Sequence, residues 1–302
     1  MTNNSSTRRA FLASLPGVLA LALLPQPATA DESAACVPPG SWLSPGRGAV
    51  ARDEMLASAA AGQVVLLGER HDSHAHHSWQ LETLKALRAR RPDMTLALEM
   101  FPRRAQPALE AWVAGELDEA TFLERSNWNK VWRMDAGLYL PILRYARDTR
   151  LPLQALNVDR ELIRRVTREG FAQVEEDARE GLSAPAPASA AYRDWLAGIH
   201  ASHASAHGGK PDAEAAARFV EAQLVWDRAF AQGIRGALDA RPGGLVVALI
   251  GSGHLRGGDG VVRQLADLGI DQVRTFLPWD AKDDCKELQP GHADAVVGLP
   301  PD

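Results

Sequence analysis

A chain of 302 residues, 46% of them apolar, is long enough for one large domain or two small ones and rich enough for a core. The formal charge of −5 and the lack of a large basic patch exclude the phosphate-neutralising surface of a nucleic-acid binder.

The first thirty residues read as an export leader. Arg8 and Arg9 are followed by Phe11 and Leu12, a short apolar run and Ala28-Thr29-Ala30, a small-residue cleavage site. The adjacent arginines point to the twin-arginine route, and the apolar run is too short to anchor the chain in a bilayer. The mature chain is therefore expected to begin near Asp31 in the bacterial periplasm, its formal charge moved from −5 to −7 by loss of the two arginines. Cys36 lies too far from the apolar run, and lacks the large aliphatic residue before it, for a lipid anchor to be expected there. In an oxidising compartment Cys36 and Cys285, one near each end of the mature chain, can form a disulfide. Residues 31–60 then read as an N-terminal extension, 61–282 as the main domain and 283–302 as a C-terminal tail.

Within that domain, Val64–Leu67, Thr95–Leu98, Leu151–Leu156 and Leu245–Ile250 are continuous apolar runs, with a weaker fifth at Gln272–Leu277. Such runs suit strands covered on both faces, and helical patterns alternate with them. Residues 76–90 carry Trp79, Leu84 and Leu87 on one stripe before Pro92 stops the helix. Residues 105–125 read as two short helices, and 135–149 as another, containing Pro141. Asp159 is placed to cap a helix at 160–169 that Gly170 closes. The pattern predicts an α/β fold, a mostly parallel sheet flanked by helices. Between Leu156 and Leu245 lie roughly ninety residues, far more than one return helix needs. A linker, SAPAPASAA, and a long helical pattern from Asp212 to about Leu238 fall within it. A small all-helical subdomain, at about 171–211, is expected to be inserted before the fourth strand.

The strands share a way of ending. The first runs into Glu69 and His71, the second into Glu99, the third into Asn157 and the fourth into GSGH with His254. Ligands of open α/β sheets bind beyond the carboxyl ends of the strands, so these five side chains are expected to converge on one polar cleft. Gln223 and Asp227, one turn apart on the long helix, are read as a polar pair fixing it against that cleft. His74 and His77 share helical spacing and are placed to line one side of the first helix, whereas His76 is expected to be solvated. A polar first turn is the preferred reading for both His76 and His77. The histidines and carboxylates could hold a metal ion, although no H-E-x-x-H motif occurs. The GSGHLRGGDG loop matches neither nucleotide-binding glycine motif, and no G-x-S-x-G elbow is present. Trp128 and Trp132 have the spacing of core aromatics. His200, His203 and His207 lie beside Tyr192 and Trp195, where they could grip a flat apolar cofactor or simply be solvated.

LLGERHDSHAHHSWQLETL, LALEMF, SNWNKVWRMDAGLYLPILRYAR, LPLQALNVDRELIRRV, FVEAQLVWDRAFA and ALIGSGHLRGGDGV, in that order over about 64–278, resemble the ChaN-like family of iron-regulated haem-binding proteins. The wider group includes erythromycin esterases and Tiki proteases. The resemblance implies an α/β core with a helical subdomain, envelope localisation, and a role in haem or iron uptake alongside an outer-membrane system. It also implies haem held by a tyrosinate, possible pairing of two molecules on haem, and Tyr192 as the tyrosine to carry over. Tyr139 and Tyr145 lie in a core-like helix. The wider group supplies the competing expectation of a hydrolase, metal-dependent or acid/base, using Glu69, His71, Glu99 and His254. This chain departs from the hydrolases' motif in placing one residue, not two, between Glu69 and His71, and from many ChaN-like proteins in lacking a good lipid-anchor context.

Overall fold

The computed structural model describes Met1 and residues 35–206 and 212–302; the leader and His207 lie outside the described residues. In chain order the elements are β1 (Trp42–Ser44), β2 (Gly48–Ala49), α1 (Arg52–Ala60), β3 (Val64–Glu69), α2 (His74–Arg90) and β4 (Met94–Pro102). There follow α3 (Gln106–Ala114), α4 (Glu119–Arg125), α5 (Trp128–Val131), α6 (Ala136–Asp148), β5 (Leu153–Asn157) and α7 (Arg160–Glu169). The last group is α8 (Ala190–Ala206), α9 (Ala213–Ala240), β6 (Leu245–Gly251), α10 (Val261–Asp267), β7 (Val273–Trp279) and β8 (Ala295–Gly298).

One eight-stranded sheet runs in the order β2-β1-β8-β7-β3-β6-β4-β5. The six strands from β8 to β5 pair in parallel, while β1 is antiparallel to β8 and to β2. The predicted α/β class, with helices on both faces and a helical insertion before β6, is what the chain adopts. Alternation along the strands decides which layer each side chain joins. Val65 and Leu67 of β3, with Val247 and Leu249 of β6, pack under α1, α2, α3, α4 and α6. Val64 and Leu66, with Val246, Ala248 and Ile250, pack under α7, α9 and α10. Both layers are buried, so the strands read as uninterrupted apolar runs.

Three edge strands lie in segments read as an extension and a tail. Residues 283–302 contribute β8, and 31–60 contribute β1 and β2. They are two to four residues long, too short to impose a periodic signature. Cys36 and Cys285 are joined, clipping the two ends of this edge together. The other departure is Asp159. It precedes α7, which Gly170 closes at φ +87°, but its carboxylate makes no cap bond and pairs with Arg104 instead.

The disulfide closes a loop of 249 residues, so reducing it removes a constraint on the unfolded chain. Replacing both cysteines with serine should cost about 2–4 kcal/mol, read as a lower urea midpoint. An unchanged midpoint would mean that β1 and β8 hold the edge unaided.

Candidate functional site

Glu69 ends β3 with the same period that sends Val65 and Leu67 beneath the α2 and α6 layer, and it is 3% exposed. A buried carboxylate needs partners, and it has them. Its Oε1 lies 2.8 Å from His71 Nδ1 and accepts the Tyr139 hydroxyl at 2.6 Å. Its Oε2 accepts from Gln80 Nε2 at 3.0 Å and lies 3.7 Å from His77 Nδ1. Burial disfavours the charge, but the His71 hydrogen bond, attraction to His77 and His71, and the Tyr139 hydroxyl hold the carboxyl below its usual range. Tyr139, buried against that charge, keeps its proton far above the ordinary phenol range.

Beside it stands His71, a half-buried ring seated edge-on against Trp132 with centroids 4.6 Å apart. Its other face rests on the backbone of β6. A Cβ at Gly251 would come within 2.9 Å of the imidazole Cε1, so only glycine admits the ring there. Burial opposes the cation, yet the Glu69 hydrogen bond and the charges of Glu99, Glu69 and Asp72 push His71 up to about 9. Near neutrality the ring favours its imidazolium form, with Nδ1 held by Glu69 and Nε2 on the opposite side. Glu99 stands 4.0 Å from that nitrogen, while its second oxygen accepts the Gly251 amide at 2.6 Å. Asn157 closes the row, donating from Nδ2 to the Glu99 carbonyl at 2.9 Å and accepting the Val158 amide at 2.9 Å.

A second imidazole–carboxylate pair lies at the same edge of the sheet. His254, just past β6, places Nδ1 2.6 Å from Oδ1 of Asp227, which is wholly buried on α9. The aromatic edges of Phe230 and Trp226 border the ring. Burial works against its proton, but the charge and hydrogen bond of Asp227, then Glu99, raise His254 above an ordinary imidazole. Burial lifts the Asp227 carboxyl as well, with His254 and Tyr192 opposing, so the pair binds its proton jointly.

His71, Glu99, Asn157 and His254 line one cavity of about 900 Å³. Apolar walls come from Trp132, Met134, Val158, Ile163 and Trp226, and Arg104, Lys130, Arg133, Arg160 and Arg164 stand around it. The expected convergence of strand ends is therefore present, with Glu69 one step behind His71. Gln223 differs: half-buried one turn before Asp227, it lies outside the cavity wall.

Several other residues lie elsewhere than expected. His76 is not solvated: it is buried, accepts the Arg70 amide at Nδ1 (2.9 Å), and sits 3.1 Å from Asp280 at Nε2. His77 is buried too, bonded to Gln80 and to the His71 carbonyl, so the first turn of α2 is an internal scaffold for Glu69; His74 alone is exposed. Tyr192 is 3% exposed and does not reach the cavity. Its hydroxyl lies 3.3 Å from both Asp227 Oδ2 and the Gly253 carbonyl, and burial beside Asp227 holds its proton well above the usual phenol range. Tyr192 and Trp195 stack on each other, and His200 packs on Phe219. Trp128 is core, but Trp132 is wall. Among the described residues no three His, Cys, Asp or Glu side chains are grouped to hold a metal ion. Tyr139 and Gln80 were missed as site residues. A hydroxyl or amide inside an otherwise apolar helical stripe was the available signal.

Two substitutions test this geometry. In Glu69→Gln the His71 titration, followed by NMR, should fall from about 9 toward 6.5. Since the folded value exceeds the unfolded one, His71 stabilises the fold below about pH 6.5, and that contribution fades as pH rises through 9. Gly251→Ala should displace the imidazole and destabilise by about 1–3 kcal/mol, the usual range for overpacking. A wild-type melting point with an unshifted His71 resonance would contradict the contact.

Comparison with known proteins places this architecture. ChaN of Campylobacter jejuni, whose structure is described as showing cofacial haem binding, superposes with a TM-score of 0.67 at 19% identity, covering 86% of this chain and 96% of that one. At that identity the likeness is one of fold. The type III effector HopBA1 (TM-score 0.45, 10% identity, 82% and 92% covered) and an erythromycin esterase mutant in its open conformation (0.44, 13%, 78% and 76%) are more distant. No curated protein matches the sequence. Residues 55–265 match the family described as haem-binding uptake, Tiki superfamily, ChaN, and the chain belongs to that family.

Proposed function

We propose that the chain binds haem in the cavity at the carboxyl edge of the sheet and serves haem or iron uptake in the periplasm. The observation that carries the reading is the cavity's make-up in a chain of this family: about 900 Å³, aromatic and aliphatic walls, a cationic mouth and two imidazoles. The paired arginines of the leader and the Cys36–Cys285 bond support export to an oxidising compartment. Pairing of two copies on haem, and delivery from an outer-membrane system, extend the same reading from the family resemblance.

The resemblance assigns the iron bond to Tyr192. In its present place Tyr192 would have to leave Asp227, lose a tightly held proton and turn out of its packing. His254 has the arrangement usual for a metal-ligating imidazole, Nδ1 on a buried carboxylate and Nε2 left over. To hold iron, His254 would have to give up its ring proton, so affinity should tighten as pH rises. Titrating the mature protein with hemin should give a saturable, shifted Soret band that His254→Ala loses and Tyr192→Phe largely keeps. The reverse pattern would return the bond to the tyrosine, and an unsaturable spectrum in wild type would reject haem binding.

A second reading has one observation in its favour, two imidazole–carboxylate pairs whose rings line the same cavity as Glu99. They could act as acid and base in hydrolysis of an ester or peptide. Turnover should then vanish in both His254→Ala and Glu69→Gln; turnover unaffected by either would dismiss the reading.

A further inference from the structure

Three cations on the cavity wall have no carboxylate to answer them. Arg104 pairs with Asp159, and Arg164 with Glu161. Lys130, Arg133 and Arg160 are exposed on the same wall and make no ion pair among the described residues. Among the described residues the Arg133 guanidinium reaches only the carbonyl of Lys130, at 3.4 Å and within its own turn. Arg160 is crowded by Arg133 and Arg164, and burial together with their repulsion holds its guanidinium below the ordinary value.

The backbone is bent to present this group. Asn127 (φ +59°) and Arg133 (φ +68°) both take the left-handed conformation, on either side of the single turn of α5. That region is costly for residues other than glycine and tends to be kept where a surface is used. Mutual repulsion among unpaired guanidiniums makes the loop less stable alone than with an anion between them. Arginine's planar fork matches a carboxylate with two parallel hydrogen bonds. Trp132, Met134, Val158, Ile163 and Trp226 continue the wall as apolar surface. A fitting ligand has a broad apolar body and acidic groups along one edge.

Resting on the haem reading above, we infer that Lys130, Arg133 and Arg160 form a carboxylate subsite that recognises the acidic edge of a tetrapyrrole whatever its ring contains. The subsite holds metal-free protoporphyrin as well as haem, and capture through carboxylates precedes any bond to iron. It loses its grip on a tetrapyrrole whose acids are esterified, and weakens as salt screens the charges.

The test uses the mature protein with three probes: hemin, metal-free protoporphyrin IX and the protoporphyrin dimethyl ester, followed by quenching of tryptophan fluorescence. Metal-free protoporphyrin should saturate the wild type, and the ester should bind at least about tenfold more weakly, the scale of losing charge-assisted hydrogen bonds. The double variant Arg133→Glu/Arg160→Glu should weaken hemin and metal-free protoporphyrin alike by a similar factor, with Arg133→Lys/Arg160→Lys recovering part of the loss. Circular dichroism and melting curves establish that each variant is folded. Hemin binding that ignores both the charge reversal and esterification would overturn the subsite and leave the haem reading standing. Failure of hemin and protoporphyrin alike to saturate the wild type would overturn both.

Discussion

The site is built around a carboxylate that has no access to water. Glu69 ends a buried strand, and an ion in that position is tolerated only if its lone pairs are answered. The answers come from three separate places: His71 beyond its own strand, Gln80 and His77 on α2, and Tyr139 on α6. Removing any one leaves charge unsatisfied, so the helices on this face are positioned by the demands of Glu69 as much as by their apolar stripes. The same bonds fix the His71 ring, whose Nδ1 is committed to Glu69 and whose Nε2 side is directed at Glu99 and the cavity.

Parallel pairing then determines what else can join. Inserting β6 between β3 and β4 brings Gly251 beside both His71 and Glu99, and sets His254 at the same edge. The roughly ninety residues before β6 look excessive for a crossover, yet the described helices in it each have a place. α7 brings Arg160, α8 holds Tyr192 and α9 carries Asp227. One long connection thus supplies part of the cationic wall and the support for the second imidazole.

What the sequence discloses about this site follows from range. Strand-end residues were legible because burial on both faces leaves an apolar run, and the first polar residue after it marks the edge. His76 and His77 were not, because helical spacing alone cannot say which face meets the core. His76 is buried against Asp280, 204 positions away. Tyr139 was assigned to the core on its helical context; the core is where it lies, but its hydroxyl serves a carboxylate 70 positions earlier. Tyr192 was selected by its histidine-rich neighbourhood and by resemblance, neither of which reports that its hydroxyl turns inward to Asp227. Edge strands of two to four residues are legible only from pairing, and pairing is nonlocal.

The two imidazoles differ in the groups around them, although each rests on a buried acid. His71 is surrounded by Glu69, Glu99 and Asp72, and all three favour its cation. His254 has Asp227 and a weaker influence from Glu99, while the charge of His71 opposes it. Asp227 is shared besides: Tyr192 donates to its second oxygen and draws off charge that would otherwise favour the His254 proton. Tyr192 therefore touches His254 only through Asp227, without reaching the cavity. A ligand drawn in by the cationic mouth would meet His71, whose cation three carboxylates favour, and His254, which shares its proton with Asp227.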